Sequence, residues 1–576
     1  MSRILLIITL CIATGNQVKA QQPNVILIMA DDQGYGDISA HGNPVLKTPE
    51  LDKLYGQSVR FTDFHVAPMC TPTRGQLMTG IDALRNGATE VNGSRSVLRS
   101  DLKIMPQYFS DAGYRTGMFG KWHLGDGYPF SPQFRGFDEV LRHRHWGITS
   151  SADYWGNTYF DPVLEHNGED KKYDGYCTDI FFNEAMDWMK ECQDQGKPFF
   201  VYLPTNTPHT PNVVADHYSK QYKGKYNGLA IPDKFYGMIA NLDENIGRLE
   251  SFLTKNNLRD NTILIYLSDN GSQSKGAAQL YNAGMRDNKT SLYDGGHRVP
   301  LFVRWPHGKL GHGSDISELA IVQDILPTLA DFCKLDVKDA VLNGKSLAGL
   351  LQGKDKNLNG RMACVQYIWK QGNGEKWDRA AVLWNKWRLV NKNELYNVAN
   401  DPGQKKNIIE SNQGIAQKMV DYYDKWYAGV KADINNPQYF IVGTKQENPV
   451  KIYSNEWVGD YCTNPRTLIE GKAKGYWNID VAEEGTYEIE LRRWPEESKK
   501  PIIESYDGKT NKGAISAVKT RLRIGGYEEI KVVNSNDAVI RYTTILKKGK
   551  TKLTSSFMDV GDEEICGAMY VKITRK

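Results

Sequence analysis

The segment Cys70-Thr71-Pro72-Thr73-Arg74-Gly75-Gln76-Leu77-Met78-Thr79-Gly80 sets a thiol two residues before a proline and four before a guanidinium. Proline suits the first turn of a helix, where its missing N–H would be unsatisfied anyway, so the spacing predicts a helix with Cys70 at its N-terminus. Free backbone N–H groups and the positive end of the helix dipole favour an anion such as sulfate at that point. Arg74 adds a bidentate donor for an oxyanion. The local chemistry is an anion site with a thiol at its mouth.

Four short apolar runs end directly in chemically capable residues. Residues 24–29 run into Asp31-Asp32, 116–119 into Lys121-Trp122-His123, 199–203 into Thr207-Pro208-His209, and 263–267 into Ser268-Asp269-Asn270-Gly271. Each run reads as a buried strand. Amphipathic stretches at 102–112 and 238–253 read as helices, and strands alternating with helices predict an α/β fold with a mostly parallel central sheet. Ligands in such sheets sit beyond the carboxyl ends of the strands, so the four runs point to one shared site.

With these motifs together, the sequence resembles the formylglycine-dependent sulfatases of the alkaline-phosphatase-like superfamily, over about residues 23–430. The Cys-x-Pro-x-Arg segment looks like the family signature in which the cysteine is oxidised to an aldehyde. Thr73 stands where serine is commoner, a departure at a position the modifying enzyme reads. Asp31-Asp32 resembles the opening metal motif and Asp269-Asn270 its second half. All four are oxygen donors, which suits Ca²⁺, with Mg²⁺ as the alternative, rather than zinc. Lys121 and His123 match the family's lysine and histidine pair, His209 a histidine on the leaving-group side, and Lys289 a lysine that reaches sulfate. The resemblance implies that the hydrated aldehyde at position 70 attacks sulfur while Arg74, Lys121 and Lys289 neutralise charge on the sulfuryl oxygens. It also implies His209 as acid, His123 as base, and a formylglycine-generating or sulfatase-maturating enzyme as a partner.

The chain of 576 residues exceeds what one core serves, so several structural units are expected. Residues 1–20, with Arg3, an apolar run and Val18-Lys19-Ala20, read as a signal peptide, which predicts export to the periplasm or the exterior. The catalytic α/β domain is expected over 21–344, a smaller α+β subdomain over 345–435, and an appended β-sandwich over 436–576. The net charge of +4 gives no reason to expect nucleic acid, and no later stretch is apolar enough to span a membrane. Seven of the eight cysteines lie beyond residue 20, and Cys177 with Cys192, and Cys462 with Cys566, are candidate pairs.

Arg142-His143-Arg144-His145-Trp146 lies between two core motifs, where a pocket-lining insertion would fall. Aromatic rings beside basic side chains suit a sugar, so Arg142, His145 and Trp146 are candidate contacts for a sulfated saccharide of galactose or hexosamine type. The competing readings are a phosphate or phosphonate monoesterase on the same core and a glycan-binding protein whose Cys70 is not modified.

Overall fold

The computed structural model describes residues 22–226, 228–354, 358, 360–369 and 372–576, so the expected signal peptide lies outside the described residues. Five parallel strands form the centre of a ten-stranded sheet: β1 (Asn24–Asp31), β2 (Arg115–Lys121), β3 (Glu139–His143), β4 (Phe199–Pro208) and β5 (Thr262–Ser268), in the order β5-β1-β4-β2-β3. Antiparallel strands continue the sheet at both sides, Leu301–Arg304 beside β5 and Val163–His166 beside β3. The mostly parallel arrangement is the one the strand and helix alternation predicted.

The unbroken apolar run of β1 follows from burial on both faces. Val25, Leu27 and Met29 pack with α1 (Cys70–Thr79), α2 (Met105–Asp111) and α5 (Ile325–Cys333). Ile26, Ile28 and Ala30 pack with α3 (Cys177–Asp194) and α4 (Asp233–Lys255). Helix α2 starts at Met105, three residues later than the pattern suggested, because the Gln107 side chain accepts a hydrogen bond from the Ile104 N–H at 2.9 Å and closes the first turn there.

Beyond the sheet, four antiparallel strands between Met362 and Asn397 pack against α6 (Gln413–Val430). Farther on, a seven-stranded and a four-stranded sheet enclose a separate core that includes Trp457, Trp477, Tyr487 and Tyr542. No helix among the described residues is long and apolar enough to cross a membrane.

The seven cysteines of the described residues are all free thiols, so neither candidate disulfide is present. Cys177 and Cys192 begin and nearly end α3. At 1.5 Å per residue they stand roughly 22 Å apart, far beyond the ~7 Å that a disulfide tolerates. Cys462 instead packs its sulfur 3.4 Å from that of Met569.

Candidate active site

Strand ends and one helix end meet at the carboxyl edge of the sheet. Asp31 closes β1, Lys121 closes β2, His209 follows β4, Asp269 and Asn270 follow β5, and Cys70 opens α1. The register keeps these ends level, since Ala30 lies opposite Ser268 and Asp31 opposite Pro208. Gly120 permits the close approach of β2: at φ +131° it faces the Pro204 carbonyl, and a Cβ there would lie 1.9 Å from that oxygen. Asp32 and His123 both adopt left-handed backbone, with φ of 73° and 58°, a conformation that costs a side-chain-bearing residue of order 1–3 kcal/mol and clusters at functional sites.

Three buried carboxylates are matched by three cations. Lys121 Nζ binds both Asp31 oxygens at 2.8 and 2.9 Å, and Lys289 Nζ binds both Asp32 oxygens at 2.6 and 2.7 Å. Arg74 reaches Asp269 Oδ2 through Nε at 3.1 Å and through its terminal nitrogen at 2.7 Å. Oxygens of Asp31, Asp32 and Asp269 lie within 4.8 Å of one another. Asn270 Nδ2 donates to Asp32 Oδ1 at 2.7 Å, whereas its buried Oδ1 has no hydrogen-bond partner among the described residues. An unpaired buried acceptor is costly, and this one belongs to the amide that donates to Asp32.

Cys70 is 2% exposed, and its Sγ lies 3.5 Å from His123 Nδ1. Burial pushes the Cys70 thiol above its ordinary value, against the nearby Lys121 and Lys289. Burial, Lys121 and His145 hold His123 well below the usual imidazole range, so it is neutral. The Val91 carbonyl accepts from His123 Nε2 at 3.0 Å, which leaves the Nδ1 lone pair facing position 70. His209 Nε2 stands 3.7 Å from Asp32 Oδ2, and burial brings its pKa down to about 3 against the pull of that carboxylate. Asp32 itself is held below the ordinary carboxylate range, because Lys289, His209 and Lys121 outweigh its burial. Burial and Asp31 push Asp269 upward despite Arg74.

The ten residues expected in the core of the site, Asp31, Asp32, Cys70, Arg74, Lys121, His123, His209, Asp269, Asn270 and Lys289, therefore come together. The three candidate sugar contacts do not share one fate. Trp146 lies beside His209, with ring centres 5.6 Å apart, and its Nε1 donates to the Thr463 carbonyl at 3.0 Å. His145 is buried edge-on behind His123, 4.9 Å between centres, and neither ring nitrogen has a hydrogen-bond partner among the described residues. Arg142 is buried away from the cleft, because Glu165 at 2.7 Å, Asp126 at 2.5 Å and Ser131 at 2.9 Å hold its guanidinium. Sequence reasoning missed Val91 and Thr463. Each contributes only a carbonyl, which every residue carries, so no side-chain signal could have singled them out.

Comparison with known proteins agrees with this geometry. Residues 23–334 match the Sulfatase family model, and residues 283–425 match the model described as N-sulphoglucosamine sulphohydrolase, C-terminal. Arylsulfatase A of Homo sapiens is 32% identical over 60% of this chain and 71% of its own length. N-acetylgalactosamine-6-sulfatase of Sus scrofa is 28% identical over 58% of this chain and 67% of its own. Among solved structures, Ps i-CgsB in complex with k-i-k-neocarrahexaose superposes with a TM-score of 0.64 at 29% identity, covering 73% of this chain and 95% of that one. Residues 436–576 lie outside both family models. With more than half of its length matched and a parallel sheet presenting these side chains at its carboxyl edge, the chain belongs to the sulfatase family, within the alkaline-phosphatase-like superfamily, and is a sulfuric ester hydrolase.

Proposed function

We propose that this sulfatase is exported and removes O-sulfate from a saccharide of galactose or hexosamine type, using formylglycine made from Cys70 by a maturating enzyme and a Ca²⁺ held by Asp31, Asp32, Asp269 and Asn270. The observation that carries this reading is the position of Cys70, which heads α1 with its Sγ 3.5 Å from His123 Nδ1 among the three carboxylate–cation pairs.

The donor set fits a hard dication, since it consists of oxygens alone and includes the unpartnered Asn270 Oδ1. Mg²⁺ suits the same donors. Three carboxylates against three cations are neutral by themselves, so a dication leaves an excess of positive charge suited to a sulfate ester. One hydroxyl of the hydrated aldehyde would attack sulfur as the alcohol leaves, and loss of the proton from the second, which a thiol lacks, would expel sulfate and restore the aldehyde; a dication held by Asp31, Asp32, Asp269 and Asn270 would lower the pKa of the attacking hydroxyl. Arg74, Lys121 and Lys289 stabilise the charge that develops on the sulfuryl oxygens. His123, neutral and fixed in one tautomer by Val91, takes a proton at Nδ1 from the group at position 70. His209 gives a proton to the leaving oxygen. It is neutral in the free site, so it takes up that proton as the anionic ester arrives, with Asp32 favouring the charged form.

The saccharide assignment draws on Trp146 beside His209, on the oligosaccharide bound to Ps i-CgsB, and on the N-acetylgalactosamine-6-sulfatase relative. Mass spectrometry of the peptide spanning Cys70, from protein made with a competent maturation system, is the primary test. Formylglycine is expected, and full turnover with an unmodified thiol would sink the mechanism. Matched aryl sulfate and aryl phosphate should differ in rate in favour of sulfate. Trp146→Ala should raise KM for a sulfated sugar while sparing the aryl sulfate, and an equal loss on both would remove Trp146 from sugar recognition.

A further inference from the structure

A cleft of ≈ 580 Å³ begins at Met69, the residue before Cys70, and is walled by three parts of the chain. The catalytic domain contributes Met69, Val91 and Asn92, the second sheet region contributes Trp369, and the final β domain contributes Asp460 and Tyr461. Val91 is the residue whose carbonyl accepts from His123, so the wall of the cleft touches the catalytic centre through Val91, although none of the ten site residues lines the cleft itself.

The loop that carries Asp460 and Tyr461 is held rigidly. Trp457, just before it, is 1% exposed and donates from Nε1 to the Asp460 carbonyl at 2.6 Å. Its ring packs so closely on Gly475 and Gly567 that a Cβ on either would lie within 3.0 Å of the indole. The Asp460 carboxylate accepts from the Lys474 N–H at 3.0 Å, and Asn464 Nδ2 contacts the Tyr461 hydroxyl at 3.4 Å. The whole β domain is pinned to the catalytic domain around this loop: Ser94 N donates to the Trp457 carbonyl at 3.1 Å, Ser151 Oγ to Asn455 Oδ1 at 2.7 Å, and the Tyr570 hydroxyl to the Ser151 carbonyl at 2.6 Å. Yet Tyr461 itself is 47% exposed, whereas Trp457, Trp477 and Trp494 of the same domain are buried.

An exposed aromatic ring on a held loop, with a second ring and polar groups lining the same cleft, has the chemistry of a sugar platform: ring faces stack on C–H surfaces while amides and carboxylates take hydroxyls. We propose that the final β domain supplies a saccharide subsite of the sulfatase, in which Tyr461, Trp369 and Asp460 bind the sugar units next to the one that carries the scissile sulfate. The proposal rests on the sulfatase reading above and adds that substrate length is recognised by residues 436–576, outside the shared family region. Tyr461 and Trp369 are specificity residues and not catalytic ones, since neither touches the reacting group.

The test uses the full-length, matured enzyme. Sulfated oligosaccharides from galactans and from N-acetylgalactosamine-containing glycans are compared with their sulfated monosaccharides and with an aryl sulfate, and the best oligosaccharide is carried forward. Tyr461→Ala and Trp369→Ala should each lower kcat/KM on it by about tenfold and leave aryl sulfate turnover unchanged, and Tyr461→Phe should recover part of what Tyr461→Ala loses. Tyr461 is half exposed, so its variant leaves the core intact, and unchanged aryl sulfate kinetics report this directly. Equal losses on both substrates, no loss on either, or a wild-type enzyme that gains nothing from sugars beyond the sulfated one would each overturn the proposal. Absence of wild-type turnover on aryl sulfate would strike the sulfatase reading itself, which separates the two failures.

Discussion

Among the described residues, two buried clusters gather three possible metal ligands within 4.8 Å, and they differ in what surrounds them. The first is Asp31, Asp32 and Asp269 at the carboxyl edge of the sheet; the second is His65, Asp294 and His297 beneath the second sheet region. In the second cluster the ring nitrogens are already used. His65 Nδ1 meets His297 Nδ1 at 2.8 Å, His65 Nε2 meets Asp63 at 2.9 Å, and the Leu292 carbonyl accepts from His297 Nε2 at 3.0 Å. Arg388 supplies the positive charge, bonding Asp294 through Nε at 2.9 Å and Asp63 through a terminal nitrogen at 2.6 Å. Asp294 Oδ2 lacks a hydrogen bond, but Arg298 stands 3.8 Å away. Arginine does not deprotonate, and Arg74 plays the same part for Asp269 in the first cluster, so a permanent cation does not separate the two. The first cluster differs in one atom above all, the free Asn270 Oδ1, and in having Cys70 beside it. Proximity of ligand atoms makes a cluster; an unused acceptor beside a reactive group makes a site.

The largest effect should come from removing one of the first cluster's three carboxylates. Asp269→Asn is expected to cut aryl sulfate turnover by about 10³-fold or more, read in a steady-state assay, and to abolish any dependence of activity on Ca²⁺. Metal titration sharpens the contrast further. Ca²⁺ at 100 times its Kd should stabilise the wild type by about 2.7 kcal/mol in chemical denaturation, and the Asp269→Asn variant should show no comparable gain with Ca²⁺ or zinc. A zinc-dependent gain in that variant would make the histidine cluster a metal site and break the comparison.

Arg388→Met tests the second cluster directly. It strands Asp63 and Asp294 without their cation, and a loss of about 3–5 kcal/mol in unfolding free energy is expected with kcat per folded molecule little changed. The last effect is a slope in pH. Burial and the adjacent His65 bring His297 down to about 3 from the ordinary 6.5. The unfolded chain takes up that proton near pH 6.5 and the folded chain does not, so stability falls as pH drops from about 6.5 toward 3, by at most about 1.4 kcal/mol per pH unit for this residue. His297→Gln should flatten this acid limb by up to that slope in urea titrations, and an unchanged slope would assign the loss to other groups.

Much of the first cluster was legible because its residues sit at the ends of apolar runs, where periodicity and chemistry change together. Asp31, Lys121, His209 and Asp269 each follow a strand that burial on both faces makes continuous in apolar residues. The second cluster gave no such signal, since His65, His297 and Arg388 are separated by up to 323 residues and are joined only by tertiary packing. Arg142 misled for a related reason. A basic residue beside aromatics reads the same whether it lines a cleft or neutralises Glu165 and Asp126, and only the buried partners distinguish the two. The contribution of Tyr461 was illegible because it depends on where a whole β domain docks.

Helix α1 is buried at all ten of its positions, from Cys70 to Thr79. On the reading proposed above, a maturating enzyme would have to reach Cys70 before this helix closes, because the folded domain does not present it. Modification would then compete with folding in time, and a preparation would hold a fixed proportion of competent molecules that refolding without the maturating enzyme would not change.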